Sequence, residues 1–378
     1  MGWCRMRRNL IVPTFFAIIA VGSLVCPATG QESSGDLIWQ SGVGDRVMAV
    51  ALSPDGLYGA VTTEKMVYLY SQNGTILWSY PVSGGRSVAI SSGGERIAAG
   101  GDHLLLFDRN GSVIWRYRSE SRVQDIAITA DGRTICTGAD TGLLVFSLDD
   151  GETTPDVSGS FDANDPIRSV SIDSDGAGIV AGADSGNIYF LGADGRLLWN
   201  YRTGDNGIHV AISRDGSTIT AASTGRTVYL LNRNGRLLWK SSMPRAITDV
   251  SISGDGSRLV LADGGIFMLN RGGETIGMYA TGEEGRIRSV SAPSDTTHIL
   301  AGAVDGTVSM FRVQPETSPP GTLDTLPPDT ATEPSRPSVT PAQEQTTSQQ
   351  DTALPPATPV IVSACAVAAL AWRRRERR

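Results

Sequence analysis

The chain has 378 residues, 40% of them hydrophobic and 19% charged, with 44 Gly, 19 Pro, 4 Cys and a formal net charge of −7. That apolar content excludes wholesale disorder, and the acidic balance argues against a nucleic-acid binder. Gly at nearly twice its usual share implies many tight turns between short strands, although the length alone would suggest two or three domains. Residues 1–30 read as a secretory signal. Arg5, Arg7 and Arg8 open it, Leu10 to Cys26 is apolar, and Ala28-Thr29-Gly30 offers a small-residue cleavage site before Gln31. The alternative is an uncleaved anchor helix, because the apolar stretch is long for a signal. Ser23-Leu24-Val25 lacks the pattern that precedes a lipid-modified cysteine, so Cys26 is not read as one.

A repeat fills the middle of the chain. An apolar alternation followed by a Gly turn occurs at Val50-Ala51-Leu52 with Gly56, Val88-Ala89-Ile90 with Gly94, and Ile126-Ala127-Ile128 with Gly132. It returns at Val170-Ser171-Ile172 with Gly176, Val210-Ala211-Ile212 with Gly216, and Val250-Ser251-Ile252 with Gly256. A worn seventh copy is Val290-Ser291-Ala292 with Asp295. The turn glycines stand 38, 38, 44, 40 and 40 residues apart.

Each unit predicts a second strand such as Gly178 to Gly182 and a third such as Val67 to Tyr70 or Val228 to Leu231. An Asn-Gly or Asp-Gly hairpin then leads to a fourth strand ending in Trp, at Trp78, Trp115, Trp199 and Trp239. Asn-Gly between alternating strands signals a type I′ turn, which needs positive φ at both central residues. Four antiparallel strands every ~40 residues is the unit of a β-propeller. Leu37-Ile38-Trp39 has no strands before it, and the last unit, ending near Val313, lacks its fourth. Together they complete one blade, which predicts an all-β, seven-bladed propeller over 37–313 closed by the N-terminal strand. Six or eight blades remain open if the worn stretch Ser147 to Phe161 hides an irregularity. The five repeated tryptophans are expected to pack structurally against neighbouring blades. Blade three, which has no equivalent, is the expected soft spot.

Residues 314–359 hold 11 Pro and 10 Thr and no aromatic residue, a composition that predicts a disordered stalk. It would span about 40 Å as a coil and about 140 Å as extended polyproline II. Val360 to Trp372 is an uncharged apolar run followed by an Arg cluster over 373–378. As a helix the run is roughly 20 Å long, short for a hydrocarbon core of ~30 Å, and arginines can snorkel to make up part of the difference. The positive end would stay in the cytoplasm, which makes the chain single-pass in the cell membrane with the propeller extracellular. This tail resembles the C-terminal anchors of archaeal surface proteins. Some of those are processed by a sortase-like enzyme, but no clear recognition tripeptide stands here.

The Ser53-Pro54-Asp55-Gly56 turn resembles the WD40 repeat, without its recurring Gly-His and Trp-Asp pairs. The Asn234-Gly235-Arg236-Leu237-Leu238-Trp239 hairpin resembles more closely the pyrroloquinoline-quinone-type repeat of quinoprotein dehydrogenases and bacterial outer-membrane assembly scaffolds. The resemblance implies the fold; for activity a quinone enzyme would need Ca²⁺ carboxylates, a catalytic Asp and usually adjacent cysteines, and Cys136 stands alone in the propeller. No cofactor and no catalytic residue is therefore assigned.

His103, His209 and His298 lie in different units without metal-ligand spacing and read as packed or surface residues, so no metal is expected. Asp149-Asp150 and Glu283-Glu284 read as solvated turns, and Cys136 as a small buried apolar residue. The candidate binding residues are Arg46, Arg86, Arg122, Arg168, Arg245, Arg286 and Arg288, at loops leading into the innermost strands. Residues 31–359 carry 24 basic and 38 acidic side chains, net −14, so arginines gathered near the axis could focus an anionic ligand or peptide carboxylate. Otherwise they would pair with neighbours such as Asp45, Asp125, Asp165 and Asp249. Asn73-Gly74-Thr75 and Asn110-Gly111-Ser112 are glycosylation sequons, at Asn73 and Asn110.

The expectation is thus a monomeric, membrane-tethered propeller that binds or scaffolds an extracellular protein or envelope polymer without catalysis. A quinone- or sugar-active propeller enzyme and a purely structural envelope component are the alternatives.

Overall fold

The computed structural model describes residues 36–148, 154–279 and 287–314. The signal segment, the stalk beyond Gln314, the anchor 360–372, the Arg cluster, Arg286 and both acidic pairs lie outside the described residues.

Among the described residues the strands form seven four-stranded antiparallel sheets. Blade I comprises Val47–Leu52, Tyr58–Thr63, Met66–Ser71 and Ile76–Pro81 in that spatial order. Blades II to VI repeat the order from the inner strands Ser87–Ile90, Val123–Ile128, Ile167–Ile172, Ile208–Ile212 and Asp249–Ile252. Blade VII is built from Ile287–Ser291, His298–Ala303 and Thr307–Arg312, with Asp36–Gly42 as its outermost strand. The two chain ends meet there: Asp36 lies opposite Arg312, and the Gln314 side chain donates to Asp36 Oδ2 at 2.8 Å. Of the stretch Ser147 to Phe161, residues 149–153 lie outside the described residues, and Asp156–Asp162 forms the fourth strand of blade III.

Burial explains the hydrophobic pattern. The middle strands of each blade face another blade on both sides, so Gly178–Ala183 and Thr218–Ser223 are buried at every residue. Outer strands are covered on one face only and alternate, as in Leu197–Arg202. Each core cluster draws on two adjacent blades. Val61 and Tyr70 of blade I, for example, pack with Leu300, Val308 and Met310 of blade VII. Each fully buried Leu, Val or Phe contributes about 1.5–3 kcal/mol.

The tryptophans are joints between blades. In the register of their sheets Trp39, Trp78, Trp115, Trp199 and Trp239 occupy one position. The indole N–H of Trp78 donates to Arg109 O at 2.9 Å, that of Trp199 to Arg233 O at 2.8 Å, and that of Trp239 to Arg271 O at 2.8 Å. Each acceptor lies in the hairpin of the following blade. The hairpin glycine therefore has two reasons to be glycine: a positive φ, and a ring where a Cβ would sit. A Cβ on Gly111, at φ 84°, would come 2.8 Å from Trp78. The two units without Trp hold Gly159 and Gly277 at its register position. At Gly159 the backbone of the next hairpin takes the space of the ring, with Asp194 O 2.4 Å from where a Cβ would stand. Blade III, the expected soft spot, thus meets its neighbour through close backbone approach.

Inner strands begin at one face of the ring and end at the other. Successive turns at the second face are linked by backbone bonds: Ser174 N–H to Arg214 O at 3.1 Å, Gly254 N–H to Ser294 O at 2.8 Å, and Ser294 N–H to Pro54 O at 3.2 Å. Only about 130 Å³ of space is left there, bordered by Leu52, Ile128, Ile172, Ile212 and Ile252. Arg312 pairs with His298, so the chain leaves the ring on this narrowed face.

Candidate functional site

A sheet whose innermost strand faces a channel has a free edge of backbone donors. The side chain just before the first apolar residue of each repeat caps that edge. Around the ring this position is Ala49, Ser87, Asp125, Ser169, His209, Asp249 and Ser289. Ser289 Oγ accepts from Val50 N–H at 3.1 Å, Ser87 Oγ from Ile126 N–H at 3.1 Å, and Ser169 Oγ from Val210 N–H at 3.2 Å. Asp125 Oδ2 accepts from Val170 N–H at 2.8 Å, and Asp249 Oδ2 from Val290 N–H at 3.0 Å. Each bond reaches from one blade to the next. Asp125 also accepts from Ser87 Oγ at 2.6 Å and Asp249 from Ser289 Oγ at 2.7 Å. Ala49 and His209 make no such bridge.

One residue earlier the ladders of blades I, III, IV and VII carry β-bulges, at Met48, Gln124, Arg168 and Arg288. A bulge re-aims the extra side chain, here into the open end of the channel. The result is a cavity of about 840 Å³ whose walls include Arg86, Arg168, Arg288, Gln124, Asp125, Asp249 and His209. Blade V lacks the extra residue. Ile208 pairs with Ser223 and is buried, and Asn206, Gly207 and His209 form that wall instead.

The structure therefore brings Arg86, Arg168 and Arg288 together. Arg168 is clamped on Asp184 through both Nε and Nη2, which holds its guanidinium charge more firmly. Arg86 donates to Gln124 Oε1 at 3.0 Å and Arg288 to Met48 O at 3.2 Å. Neither has a carboxylate partner among the described residues. Burial lowers the pKa of Arg288, and the fields of Arg46 and Arg86 lower it further. Burial acts likewise on Arg86, followed by Arg122 and Arg168. These cations are held against their mutual repulsion, a condition that a bound anion relieves.

The other candidates lie apart. Arg46 is outside the cavity wall, Arg122 pairs with Asp102 at 3.3 Å, and Arg245 lies beside Gly264 on blade VI. The expected partners are corrected too. Asp125 and Asp249 bind backbone and serine donors in place of arginine, because free strand edges lie closer than the guanidiniums. Asp165 accepts from Ser185, and Asp45 Oδ1 accepts from Arg46 N–H while Oδ2 has no partner among the described residues.

His209 reads from the sequence as a packed or surface residue, because a lone His in a strand has no signal of its own, and the structure places it on the cavity wall. Aligning the repeats one residue before each Val-x-Ile core would have set it beside Asp125 and Asp249. It is half-buried, and its ring has no hydrogen-bond partner among the described residues. Burial lowers its pKa below the ordinary value; Arg288 and Arg168 act the same way, against the opposing pull of Asp125 and Asp184. Burial raises the pKa of both carboxyls beneath, that of Asp249 to about 6.

Elsewhere, Cys136 is buried and its thiol pKa is pushed up by burial. Asn73 and Asn110 are exposed in hairpins. Among the described residues no group of three or more His, Cys, Asp or Glu is placed to hold a metal ion.

No curated protein matches the chain. A family model does, a PQQ-like repeat model described as outer membrane protein assembly factor BamB, over residues 28–154 and 165–313. These two segments cover every strand of the ring except Asp156–Asp162 and most of the chain, so the protein belongs to the BamB family of PQQ-like repeat β-propellers.

Proposed function

We propose that this propeller is a non-catalytic binding module whose open channel mouth receives an anionic group of its partner. The observation that carries this reading is a difference in pairing: the cavity wall holds three arginines and four aspartates, of which Asp184 is taken by Arg168 and Asp165 by Ser185. Arg86 and Arg288 have no carboxylate partner among the described residues, while both carboxyls of the inner ring are occupied by donors from the adjacent blade. Such a wall attracts an anion, and its carboxylates are already engaged in holding the ring together. The family description, an assembly factor, is in keeping with holding partners rather than turning over a substrate.

The reading extends to the cell surface through the sequence of the ends. A signal, a Pro/Thr-rich stalk and an apolar run with an Arg cluster would tether the ring outside the membrane. The chain leaves the ring at Gln314 on the narrowed face. On this reading the partner is an extracellular protein or envelope polymer.

The test is binding of the full chain to its own envelope fraction, washed at rising salt, beside the variant R86Q/R288Q. Retention lost in the variant supports the reading. Equal retention of the two at every salt concentration contradicts it.

A further inference from the structure

The inner ring has two positions without an inter-blade bridge, and they face each other across the channel. Ala49 of blade I contributes no polar atom. His209 of blade V contributes a ring with no hydrogen-bond partner among the described residues, on a wall where the overlying bulge residue is missing. On the Ala49 side the wall carries Arg288, leaning from blade VII onto Met48 O, and Arg86 of blade II. An anion in the cavity thus has two unpaired guanidiniums on one side and an uncommitted imidazole on the other.

We propose that a small oxyanion, or a chain end bearing one, binds between Arg86, Arg288 and His209 and draws a proton onto His209, so that it is held more tightly as the pH falls. This rests on the anion-binding reading above and adds its regulation. The charged groups around the imidazole come from every wall: Arg86, Asp125, Asp165, the Arg168–Asp184 pair, Asp249 and Arg288. Burial favours the neutral ring, as do the fields of Arg288 and Arg168, against those of Asp125 and Asp184. A bound anion offsets the field of those arginines and favours the imidazolium. Between the free and bound pKa values, affinity then rises by up to about tenfold per pH unit. No covalent step is involved: one proton from solvent joins the ring as the anion enters.

The chain contains three histidines, so their ring protons can be followed individually by NMR. Sulfate serves as the probe because it does not titrate in this range, and the arms are sulfate, acetyl-tetraglycine and acetyl-tetraglycine amide. The expected result is a His209 pKa raised by sulfate, with tighter sulfate binding at about pH 5.5 than at about pH 8. Binding of the free-acid peptide but not its amide assigns a chain end; binding of sulfate alone assigns a small oxyanion. H209Q should still bind at the higher pH and lose the proton uptake. Sulfate binding that leaves the His209 titration unmoved, or proton uptake that persists in H209Q and so belongs to Asp249, overturns this proposal while sparing the anion site. No binding of any probe at any pH overturns both.

Discussion

The indole of Trp39 lies across Gly74 of blade I, so close that a Cβ on the glycine would stand 2.7 Å from the ring. Its N–H donates to Gln72 O at 2.9 Å, and the ring stacks on Tyr70 at a centroid distance of 5.4 Å. Trp39 belongs to the N-terminal strand, which completes blade VII. This one side chain therefore fastens the joint between the chain ends to the first complete blade. W39F keeps an aromatic ring and loses the hydrogen bond, for a cost of about 1 kcal/mol. W39A also removes the packing and should cost about 3 kcal/mol. Equilibrium urea unfolding checks both, and an unchanged midpoint for W39A would contradict the joint.

Blade IV departs from the other turns in a way that makes a second prediction. Ser53, Thr129, Ser213 and Ser253 each donate to an Asp two residues on, at 2.5 to 2.7 Å. The same position in blade IV is Asp173, buried and placed beside Asp175. Arg233 of blade V reaches Asp173 at 3.0 Å and lies over Phe190 at 5.3 Å. R233A leaves a buried carboxylate without its cation and should lose about 2 kcal/mol. D173S restores the turn found in blades I, III, V and VI and should recover most of that loss in the double variant. A double variant no more stable than R233A contradicts this account.

Asp249 gives the fold a pH dependence of definite sign. Burial raises its pKa to about 6, above its value in the unfolded chain. The folded state then holds the proton more tightly, so this group's contribution to stability falls as pH rises from about 4 to about 6, by about 2–3 kcal/mol. Asp255 acts in the opposite sense. Its pKa is lowered to about 2, chiefly by the Ser253 hydroxyl, and its contribution is lost in stronger acid. D249N keeps an acceptor for Val290 N–H and should flatten the dependence between those pH values. Thermal unfolding of both proteins over that range is the measurement; parallel profiles would refute the assignment.

The two sequons sit in hairpins whose side chains are already partly committed. Asn73 Oδ1 accepts from Ser71 Oγ and, at 3.3 Å, from Thr75 N–H, and the residue is exposed. Its amide nitrogen stays clear for modification. Intact-mass measurement of the chain from its native source should show glycan at Asn73 and Asn110, and a bare mass rules this out.

How much of this was legible follows from what repeats. Asn-Gly hairpins, Gly turns and Trp at a fixed place recur often enough to give the blade and its closure from sequence. Gly277 follows the hairpin glycine Gly273 at the spacing of the tryptophans and is legible as their replacement, whereas Gly159 is placed there by sheet register and not by spacing. The arginines were found from their place before the inner strands, yet Arg46, Arg122 and Arg245 read the same as Arg86 and Arg288. What separates them is a place on the cavity wall, which Arg46, Arg122 and Arg245 do not share and which leaves no mark in composition. His209 reads as a packed or surface residue because its place on the wall comes from a missing residue in blade V.

The central claim is that an anion sits between Arg86 and Arg288 in the channel mouth. The most direct measurement is diffraction from crystals soaked in selenate, whose selenium gives an anomalous signal. The account predicts a peak inside the cavity in contact with both guanidiniums. Selenate found only at surface arginines such as Arg122 and Arg245, or nowhere, would contradict it.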